Sequence, residues 1–371
     1  MFSLARHNLF QSRTKALMAI AGVALAMMLV LSLDGILAGL ENRIGAFIET
    51  AGADVWVAQA GVQNMHMASS SVPRGLADQV SQVPGVAEAM PMRYLTNVVV
   101  SGNDQYIAYV IGLPEGATMG RPTTLIAGPA TPKTGQVVID GALRKAGAKI
   151  GDRVRILGTE FTISGLSEGL SSSLSSLAFI PLSDLDRLLG NDRTVSYVLV
   201  RAAPGVAAET LAADIGSRIP GVTASSRAAF AGEERRYVRD MSTEIAVIMN
   251  LAGLLIGLAV MALSVYTTTV SRLPEYGMLK ALGASTRRLA GVVVSQAAIT
   301  VAIGLLAGLA LAYAAAFLAP RLDPILDLRI TSDSVVKVAA ISFIVAALSA
   351  IAPIVQIAGL DPAVVFRRRF T

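Results

Sequence analysis

Only one group of residues in this chain has the types and the spacing of a known catalytic motif. Gly165, Ser167 and Gly169 match the G-x-S-x-G pattern, in which a serine on a sharp strand-to-helix turn acts as a nucleophile. That arrangement needs a histidine base later in the chain, but His7 and His66 both precede the serine. A serine-rich stretch, with no clear helical pattern, follows Ser167. We therefore interpret the pattern as a glycine-bounded loop.

The amino-acid composition and the absence of a phosphate-binding motif exclude several other kinds of catalytic or ligand-binding site. The chain has no cysteine, so a disulfide, a thiolate metal site and a cysteine nucleophile are all excluded. Its two histidines are too few and too far apart for a His-rich metal site. The sequence contains no G-x-x-x-x-G-K-[ST] loop to hold nucleotide phosphates. We predict no catalytic, cofactor-binding or metal-binding residues, and we do not expect the chain to be an enzyme.

The composition indicates a membrane protein. Hydrophobic residues make up 53% of the 371 residues, charged residues make up 15%, and the mean hydropathy is +0.60. Soluble domains carry roughly 25% charged residues. A helix needs about 20 apolar residues to cross a bilayer, and four stretches are long enough. We place these transmembrane spans at residues 16–40, 241–270, 290–319 and 335–360.

The charges between the spans predict the orientation of the chain. Residues 1–15, 271–289 and 361–371 together carry a net charge of +8, whereas the rest of the chain carries −3. Because cytoplasmic segments are enriched in Lys and Arg, both termini and the 271–289 loop are expected in the cytoplasm. The insert 41–240 and the short loop 320–334 then lie outside the inner membrane. The basic residues are expected to face anionic lipid, not nucleic acid.

The insert is predicted to be an α+β domain. Short β-favouring runs and stretches of helical periodicity alternate along it. One pair of runs, 154–157 and 161–165, predicts a hairpin turned around Gly158, Thr159 and Glu160. The predicted fold class is therefore an α-helical membrane protein with four transmembrane helices and an α+β extracytoplasmic domain between the first two.

Two segments of the insert have more than one interpretation. The charged stretch 233–244 leads into the second span and is either a solvated helical extension or a rigid stalk that carries motion. The serine-rich run 171–176 is either a flexible loop or a mobile hook that touches a partner or cargo.

The cytoplasmic loop 271–289 is predicted to contain a short amphipathic helix. Pro274 suits the first turn of a helix, and Gly283 suits its end. Three apolar side chains are expected to share one face while Lys280 points elsewhere: Tyr276, Leu279 and Leu282. Periodicity alone favours a helix that lies at the lipid interface.

This loop also resembles a known family signature. Residues 275–285, EYGMLKALGAS, resemble the E-x-G-x-L-[RK]-A-x-G-[AM]-[ST] motif of the FtsX-like/MacB-like ABC transporter permeases of type VII. Residues 5–13 resemble the amphipathic N-terminal segment of that family, and 361–367 resemble its D-P-[AV]-x-x-[LF]-R tail. Residues 150–154 resemble the GD-x-V hairpin of its periplasmic core domain. The order of one span, a large insert and three spans matches along the whole chain.

The resemblance implies a mechanism and a set of partners. The loop would be the coupling helix seated in a separate MacB/LolD-type ATPase, and ATP and Mg would be bound only through that subunit. A second permease copy or paralogue, and in some members a periplasmic adaptor or substrate-binding protein, would complete the assembly. The function implied is mechanotransmission that exports or extracts an unidentified substrate. The residues implied to contact the ATPase are Glu275, Tyr276, Gly277, Leu279, Lys280, Ala281 and Gly283.

Pairs of glycines in the spans predict close helix packing. Gly253 and Gly257 in the second span, and Gly304 and Gly308 in the third, follow the small-xxx-small pattern that lets helices approach closely. The pattern leaves open whether the packing occurs within one subunit or between subunits.

A second function is compatible with the same topology. The chain could be a membrane-anchored sensor or scaffold whose insert binds an external ligand. That hypothesis predicts no ATPase partner and predicts that substitutions in the 271–289 loop are tolerated. An ion-coupled carrier is disfavoured because polar residues within the spans are sparse.

Overall fold

The computed structural model describes residues 13–66, 68–102, 104–140, 147–170, 176–322 and 327–359. Its helices are α1 (Arg13–Ile44), α2 (Ala46–Thr50), α3 (Leu76–Ser81), α4 (Leu182–Leu189), α5 (Ala208–Arg218), α6 (Arg227–Ser271), α7 (Leu273–Ala281), α8 (Thr286–Leu322), α9 (Ser332–Ser349) and α10 (Ile351–Ala358). The described chain divides into two compact units, and the boundaries between them lie near residues 38 and 241. We call the unit that holds residues 39–241 the insert unit and the other the membrane unit.

The strands all lie in the insert unit. They are β1 (Val55–Gln59), β2 (Val72–Pro73), β3 (Val86–Ser101), β4 (Asp104–Leu113), β5 (Leu125–Ala127), β6 (Gln136–Asp140), β7 (Arg153–Ile156), β8 (Thr159–Ser167), β9 (Ser176–Pro181), β10 (Thr194–Val195), β11 (Tyr197–Ala202) and β12 (Val222–Ser226). The main sheet has the order β12-β1-β11-β3-β4-β9-β6-β8-β5, with β7 paired to both β3 and β8, and β2 pairs with β10 separately.

Four helical segments are long and apolar enough to cross a membrane: Ala16–Ile44, Val247–Ser271, Thr286–Leu322 and Ser332–Ala358. The α+β insert lies between the first and second of them, which confirms the predicted fold class. Helix α6 begins at Arg227, well before the predicted start of the second span at residue 241.

The fourth span consists of two helices. Helix α9 ends at Ser349 and α10 begins at Ile351, with Ala350 between them. Pro353 has no N–H to donate to the carbonyl of Ser349, four residues earlier, so the regular hydrogen-bond ladder is interrupted there. The proline sits in the first turn of α10, where the missing donor costs least.

The long strand β3 organises the insert unit. Its first half pairs with β11, where Met92 lies opposite Tyr197, and its second half pairs with β4, where Arg93 lies opposite Gly112. The strand therefore passes from one part of the sheet to the other between residues 92 and 93.

An aromatic cluster packs α2 and the start of α6 against this sheet. Trp56 of β1 is fully buried and stacks on Phe230 of α6 with ring centroids 5.2 Å apart. Phe47 of α2 meets the same indole edge-on at 6.0 Å. Burial of such rings supplies a large share of the hydrophobic stabilisation of a core.

The predicted hairpin forms, but its turn was predicted wrongly. Strands β7 and β8 are joined by two residues, Leu157 at φ 50° and Gly158 at φ 82°, and Thr159 already pairs with Ile156. Two successive positive φ values are typical of the type I′ turn that matches strand twist. Thr159 and Glu160 therefore belong to β8 and not to the turn.

Candidate functional site

The loop between the second and third spans folds as the short helix α7. Pro274 lies in its first turn. The helix ends at Gly283, which adopts φ +94°. The N–H of Gly283 donates to the carbonyl of Lys280 at 3.1 Å, and the N–H of Ala284 donates to that of Leu279 at 2.9 Å. These two bonds form a Schellman motif, which satisfies carbonyls that the end of a helix leaves free.

Helix α7 has one buried face and one exposed face. Arg272, just before the helix, is 7% exposed and Tyr276 is 1% exposed, while Leu279 and Lys280 are half-buried. The opposite face is exposed and consists of Pro274, Glu275, Met278, Ala281 and Leu282.

The prediction that Leu282 shares a face with Tyr276 is wrong. At about 100° per residue, position 282 lies about 240° around the helix from position 276. Leu282 is accordingly 85% exposed, and Met278, four residues earlier, is 40% exposed beside it. Lys280, by contrast, lies on the same side as Tyr276 because the two are four residues apart.

The buried face of α7 contacts the end of the fourth span. Tyr276 belongs to an apolar cluster that includes Ala350 and Ile357. Burial raises the pKa of the Tyr276 hydroxyl. Lys280 Nζ donates to the carbonyl of Ala358 at 3.0 Å and to that of Ile357 at 3.3 Å. The helix is thus attached to α10 within the membrane unit.

The seven residues implied to contact a partner fall into two groups in the structure. Three are exposed: Glu275, Ala281 and Gly283. Four are buried or half-buried against the chain itself: Tyr276, Gly277, Leu279 and Lys280. Met278 and Leu282 also lie on the exposed face, and neither is among the seven residues implied to contact the ATPase. Their i,i+4 spacing on the side opposite Tyr276 was the available signal.

Two glycines of α8 lie against α1. A Cβ built on Gly304 would stand 2.6 Å from Val23 Cγ1, and one on Gly308 would stand 2.7 Å from the carbonyl oxygen of Ala24. Both distances are too short for a Cβ atom to fit. Glycine at these two positions therefore allows the two helices of one chain to approach each other closely.

The second span makes a similar approach. A Cβ on Gly253 would stand 2.3 Å from Val30 Cγ2 of α1. The surroundings of Gly257 lie outside the described side chains, so its predicted role stays a prediction.

The charged stretch before the second span is helical. Within the insert unit Arg239 contacts Glu41 at 2.9 Å, and Arg235 contacts Glu49. The hydrogen bond with Glu41 raises the pKa of Arg239. Because one side chain of each pair, Arg239 or Glu49, is well exposed to solvent, each pair contributes at most about 1 kcal/mol.

One acidic residue of this stretch is fully buried. Glu234 accepts a hydrogen bond from the N–H of Met65 at 2.6 Å and contacts Nδ1 of His66. The ring of His66 lies edge-on to Tyr109 at 4.6 Å. His66 was not predicted from the sequence to contact an acidic residue, and in the structure its imidazole ring lies against the buried carboxylate of Glu234.

The first part of the G-x-S-x-G pattern, from Gly165 to Ser167, lies in strand β8, and Gly169 follows the strand with φ +94°. Ser167 is the last residue of β8, is fully buried and pairs with Leu125 and Asp140 on neighbouring strands. A Cβ on Gly165 would stand 2.6 Å from the carbonyl oxygen of Pro129, so this glycine serves close packing. The loop interpretation is therefore wrong for Gly165 and Ser167, and the burial of Ser167 is incompatible with a nucleophile on an exposed turn.

Several sequence features cannot be placed. Residues 5–9 and 361–367, which carry two of the family resemblances, lie outside the described residues, as do residues 171–175 of the serine-rich run.

Comparison with known families agrees with this architecture. A family model described as the MacB-like periplasmic core domain matches residues 16–218. A second, described as the FtsX-like permease C-terminal domain, matches residues 247–362.

Similar whole-length proteins occur in mycobacteria. An uncharacterized ABC transporter permease of Mycobacterium tuberculosis strain H37Rv is 24% identical over 363 residues, which cover 95% of this chain and 96% of the relative. One from Mycobacterium bovis has the same identity and coverage. Another from Mycobacterium tuberculosis is 23% identical over 372 residues, with 99% of each chain covered.

Two solved structures are similar to the insert. The periplasmic region of MacB from Actinobacillus actinomycetemcomitans aligns with TM-score 0.38 and 15% identity, covering 48% of this chain and 91% of that one. The extracellular domain of the noncanonic ABC-type transporter YknZ from Gram-positive bacteria aligns with TM-score 0.35 and 13% identity, covering 47% and 99%.

Proposed function

Because this chain belongs to the FtsX-like/MacB-like family of ABC transporter permeases, we propose that it transmits ATP-driven motion from a separate ATPase to its extracytoplasmic insert. It is a membrane protein with an extracytoplasmic domain, and an ABC permease works in general with an ATPase. The transmission step, the identity of that ATPase and the orientation of the termini belong to the proposal.

The arrangement of α7 is the observation that carries this proposal. The helix is anchored on one side by Arg272 and Tyr276, which are 7% and 1% exposed. Its other side leaves Met278 and Leu282 exposed at 40% and 85% beside the carboxylate of Glu275. A small apolar patch with a charge at its rim has the composition of a protein docking surface. We assign direct ATPase contact to Glu275, Met278, Ala281, Leu282 and Gly283.

Nucleotide chemistry is assigned to the partner. The sequence contains no phosphate-binding loop of the G-x-x-x-x-G-K-[ST] type. A MacB/LolD-type ATPase would bind ATP and Mg, and this chain would bind neither directly. Two permease chains with two ATPases, and in some assemblies a periplasmic adaptor, complete the proposed transporter.

The long helix α6 supports the proposed path of transmission. It runs from Arg227 to Ser271 without a break, and its first turns carry Phe230, which packs on Trp56 in the insert core. A continuous helix of this kind would act as the stalk that moves the insert. The work done outside would export or extract a substrate whose identity the residues do not specify.

Copurification and ATP hydrolysis test the proposal. The tagged full chain, isolated from its native membranes, is expected to bring down an ATPase whose activity depends on α7. Glu275→Lys reverses the exposed charge, and Gly283→Trp forces a bulky residue into a left-handed position, so both are expected to uncouple hydrolysis. Glu160→Lys is the matched control, since its side chain is 55% exposed and salt-bridged to Arg153 in the insert unit.

Two results would reject the proposal. Stimulation at the wild-type level by both α7 variants would show that the helix does not couple the subunits. Absence of any ATPase, with loop substitutions tolerated, would favour the membrane-anchored sensor or scaffold instead.

A further inference from the structure

The last helix of the fourth span ends in carbonyl groups that need donors. Helix α10 is eight residues long and ends at Ala358, and the N–H of Gly359 donates to the carbonyl of Val355 at 3.1 Å. The final carbonyls of a helix have no donor within it. The aligned peptide dipoles also leave a partial negative charge there, which a nearby cation stabilises.

Lys280 of α7 meets this need. Its Nζ lies 3.3 Å from the carbonyl oxygen of Ile357 and 3.0 Å from that of Ala358, the last two residues of α10. One ammonium group therefore donates to two terminal carbonyls of a helix that lies 77 residues further along the chain. Such charge-assisted bonds are stronger than bonds between neutral groups.

A second contact lies one helical turn away. Tyr276 is 1% exposed and belongs to the same apolar cluster as Ala350 and Ile357. Tyr276 and Lys280 are spaced i,i+4, so they project from the same side of α7. The cluster thus extends from the start of α10 to its end.

The joint at Ala350 separates α10 from the rest of the span. Pro353 removes the donor that would have continued the ladder from Ser349. Helix α10 is consequently bonded to α7 at one end and to α9 through an interrupted ladder at the other.

We propose that Lys280 is a positioning residue that fastens the coupling helix to α10, so that a push on α7 moves the end of the fourth span directly. This inference rests on the proposed function. It removes Lys280 from the set of direct ATPase contacts, since its ammonium group is occupied within the chain. The exposed Glu275, Arg287 and Arg288 supply the charges that a partner can reach.

Amide hydrogen exchange of the full-length chain in nanodiscs tests the attachment without any partner. Lys280→Met removes the donor and keeps most of the apolar stem, so the amides of residues 355–359 are expected to exchange about tenfold faster. Lys280→Arg keeps a cationic donor, and its exchange is expected within about twofold of wild type. Arg288→Met, which removes an exposed cation from the same loop, is the control and should leave this segment unchanged.

Chemical rescue provides a second test, in which the exchange of one variant is measured before and after its side chain is modified. The chain has no cysteine, so Lys280→Cys places a single thiol at this position. Alkylation with 2-bromoethylamine rebuilds an ammonium side chain of nearly the same length and is expected to return the exchange of residues 355–359 to the wild-type rate. Unchanged exchange in both Lys280→Met and unmodified Lys280→Cys would overturn the proposal.

Measurements of ATPase copurification and stimulation distinguish a failure of this inference from a failure of the proposed function. Lys280→Met should still copurify with the ATPase but stimulate its hydrolysis less than wild type does. Loss of copurification with unchanged exchange at residues 355–359 would make Lys280 a direct partner contact and overturn the inference. If wild type brings down no ATPase, the proposed function fails, whereas the exchange result still decides the attachment.

Discussion

At the residue scale, the backbone angle of Gly283 determines where the short helix α7 stops. Its φ of +94° ends α7, and a Cβ there would meet no atom within 4 Å. The cost of a side chain is therefore conformational and not steric. Gly216 of α5 has equally open surroundings but an ordinary helical φ.

These two glycines give opposite predictions. Gly283→Ala should lower the free energy of unfolding of the full chain by about 1–2 kcal/mol, because the left-handed conformation is unfavourable for any residue with a Cβ. Gly216→Ala should raise it by about 0.5–1 kcal/mol, since alanine is the better helix former. Thermal unfolding in the same detergent compares them, and equal shifts of the same sign would contradict the account.

The buried tyrosines of the insert unit predict a dependence on alkaline pH. Burial raises the pKa of Tyr94 and that of Tyr197 well above the usual value of 10.0. Below pH 10 both tyrosines are neutral in the folded and unfolded chains. Above it the unfolded chain loses protons that the folded chain retains, so stability should fall as pH rises.

Unfolding temperatures at pH 9 and pH 11 measure this effect. Tyr94→Phe and Tyr197→Phe should each reduce the loss of stability between the two pH values, whereas Tyr237→Phe on α6 serves as the control. The part of the tyrosinate absorbance that Tyr94→Phe or Tyr197→Phe removes should appear together with unfolding. A loss of stability that both phenylalanine variants leave unaltered would refute this explanation.

Residue-level chemistry was only partly predictable from the sequence. The family motif drew attention to the loop 271–289, and Pro274 and Gly283 indicated where its helix begins and ends. The role of Lys280 could not be predicted because its acceptors are main-chain carbonyls of Ile357 and Ala358, which carry no sequence signal. Leu282 was misplaced because six residues of α-helix carry it about 240° around the axis from Tyr276.

At the element scale, the close contact between α8 and α1 depends on two glycines, which have no side chain. Gly308 has the carbonyl oxygen of Ala24 at 2.7 Å and Cβ of Met27 at 2.8 Å from the site of its missing Cβ. Main-chain atoms cannot rotate away, so a methyl group must separate the helices.

Gly308→Ala should therefore destabilise the membrane unit by about 1–3 kcal/mol, the range found for overpacked interiors. Leu306→Ala, two residues away and 67% exposed, is the control and should cost much less in a lipid nanodisc. Unfolding monitored in nanodiscs measures both. A neutral Gly308→Ala would show that this helix contact is not close in the protein.

The elements divide into those that the sequence predicted and those it could not. The spans are recognisable because lipid requires about 20 consecutive apolar residues. Strands β1 and β9 show little alternation of polar and apolar residues in the sequence, because nearly every residue in them is buried. The hairpin turn was misplaced because Leu157 adopts the positive φ more typical of glycine or asparagine.

At the scale of the whole molecule, the account requires α7 and the tip of the β3–β4 hairpin to lie on opposite sides of the membrane. The absence of native cysteine allows single thiols to report this. Leu282→Cys should react with a membrane-impermeant maleimide only after the cells are opened, because the basic loop is proposed to be cytoplasmic. Asp104→Cys, exposed on the hairpin, should react in intact spheroplasts. Labelling of Leu282→Cys from outside would invert the proposed topology.

The sequence predicts less about the whole assembly and its substrate than about single residues and elements. Composition and charge predicted the class of protein and its four spans. The substrate stays open because the described residues present no site whose chemistry selects one.

The exposed face of α7 is proposed to receive a separate ATPase, and paired substitutions at Leu282 and Leu322 test that contact. Both side chains are 85% exposed, one on α7 and the other at the end of α8. The account predicts that Leu282→Asp reduces the ATPase recovered with the tagged chain by about tenfold or more, the loss expected when a charge enters an apolar contact. Leu322→Asp should recover the wild-type amount. Equal recovery with both variants would contradict the claim.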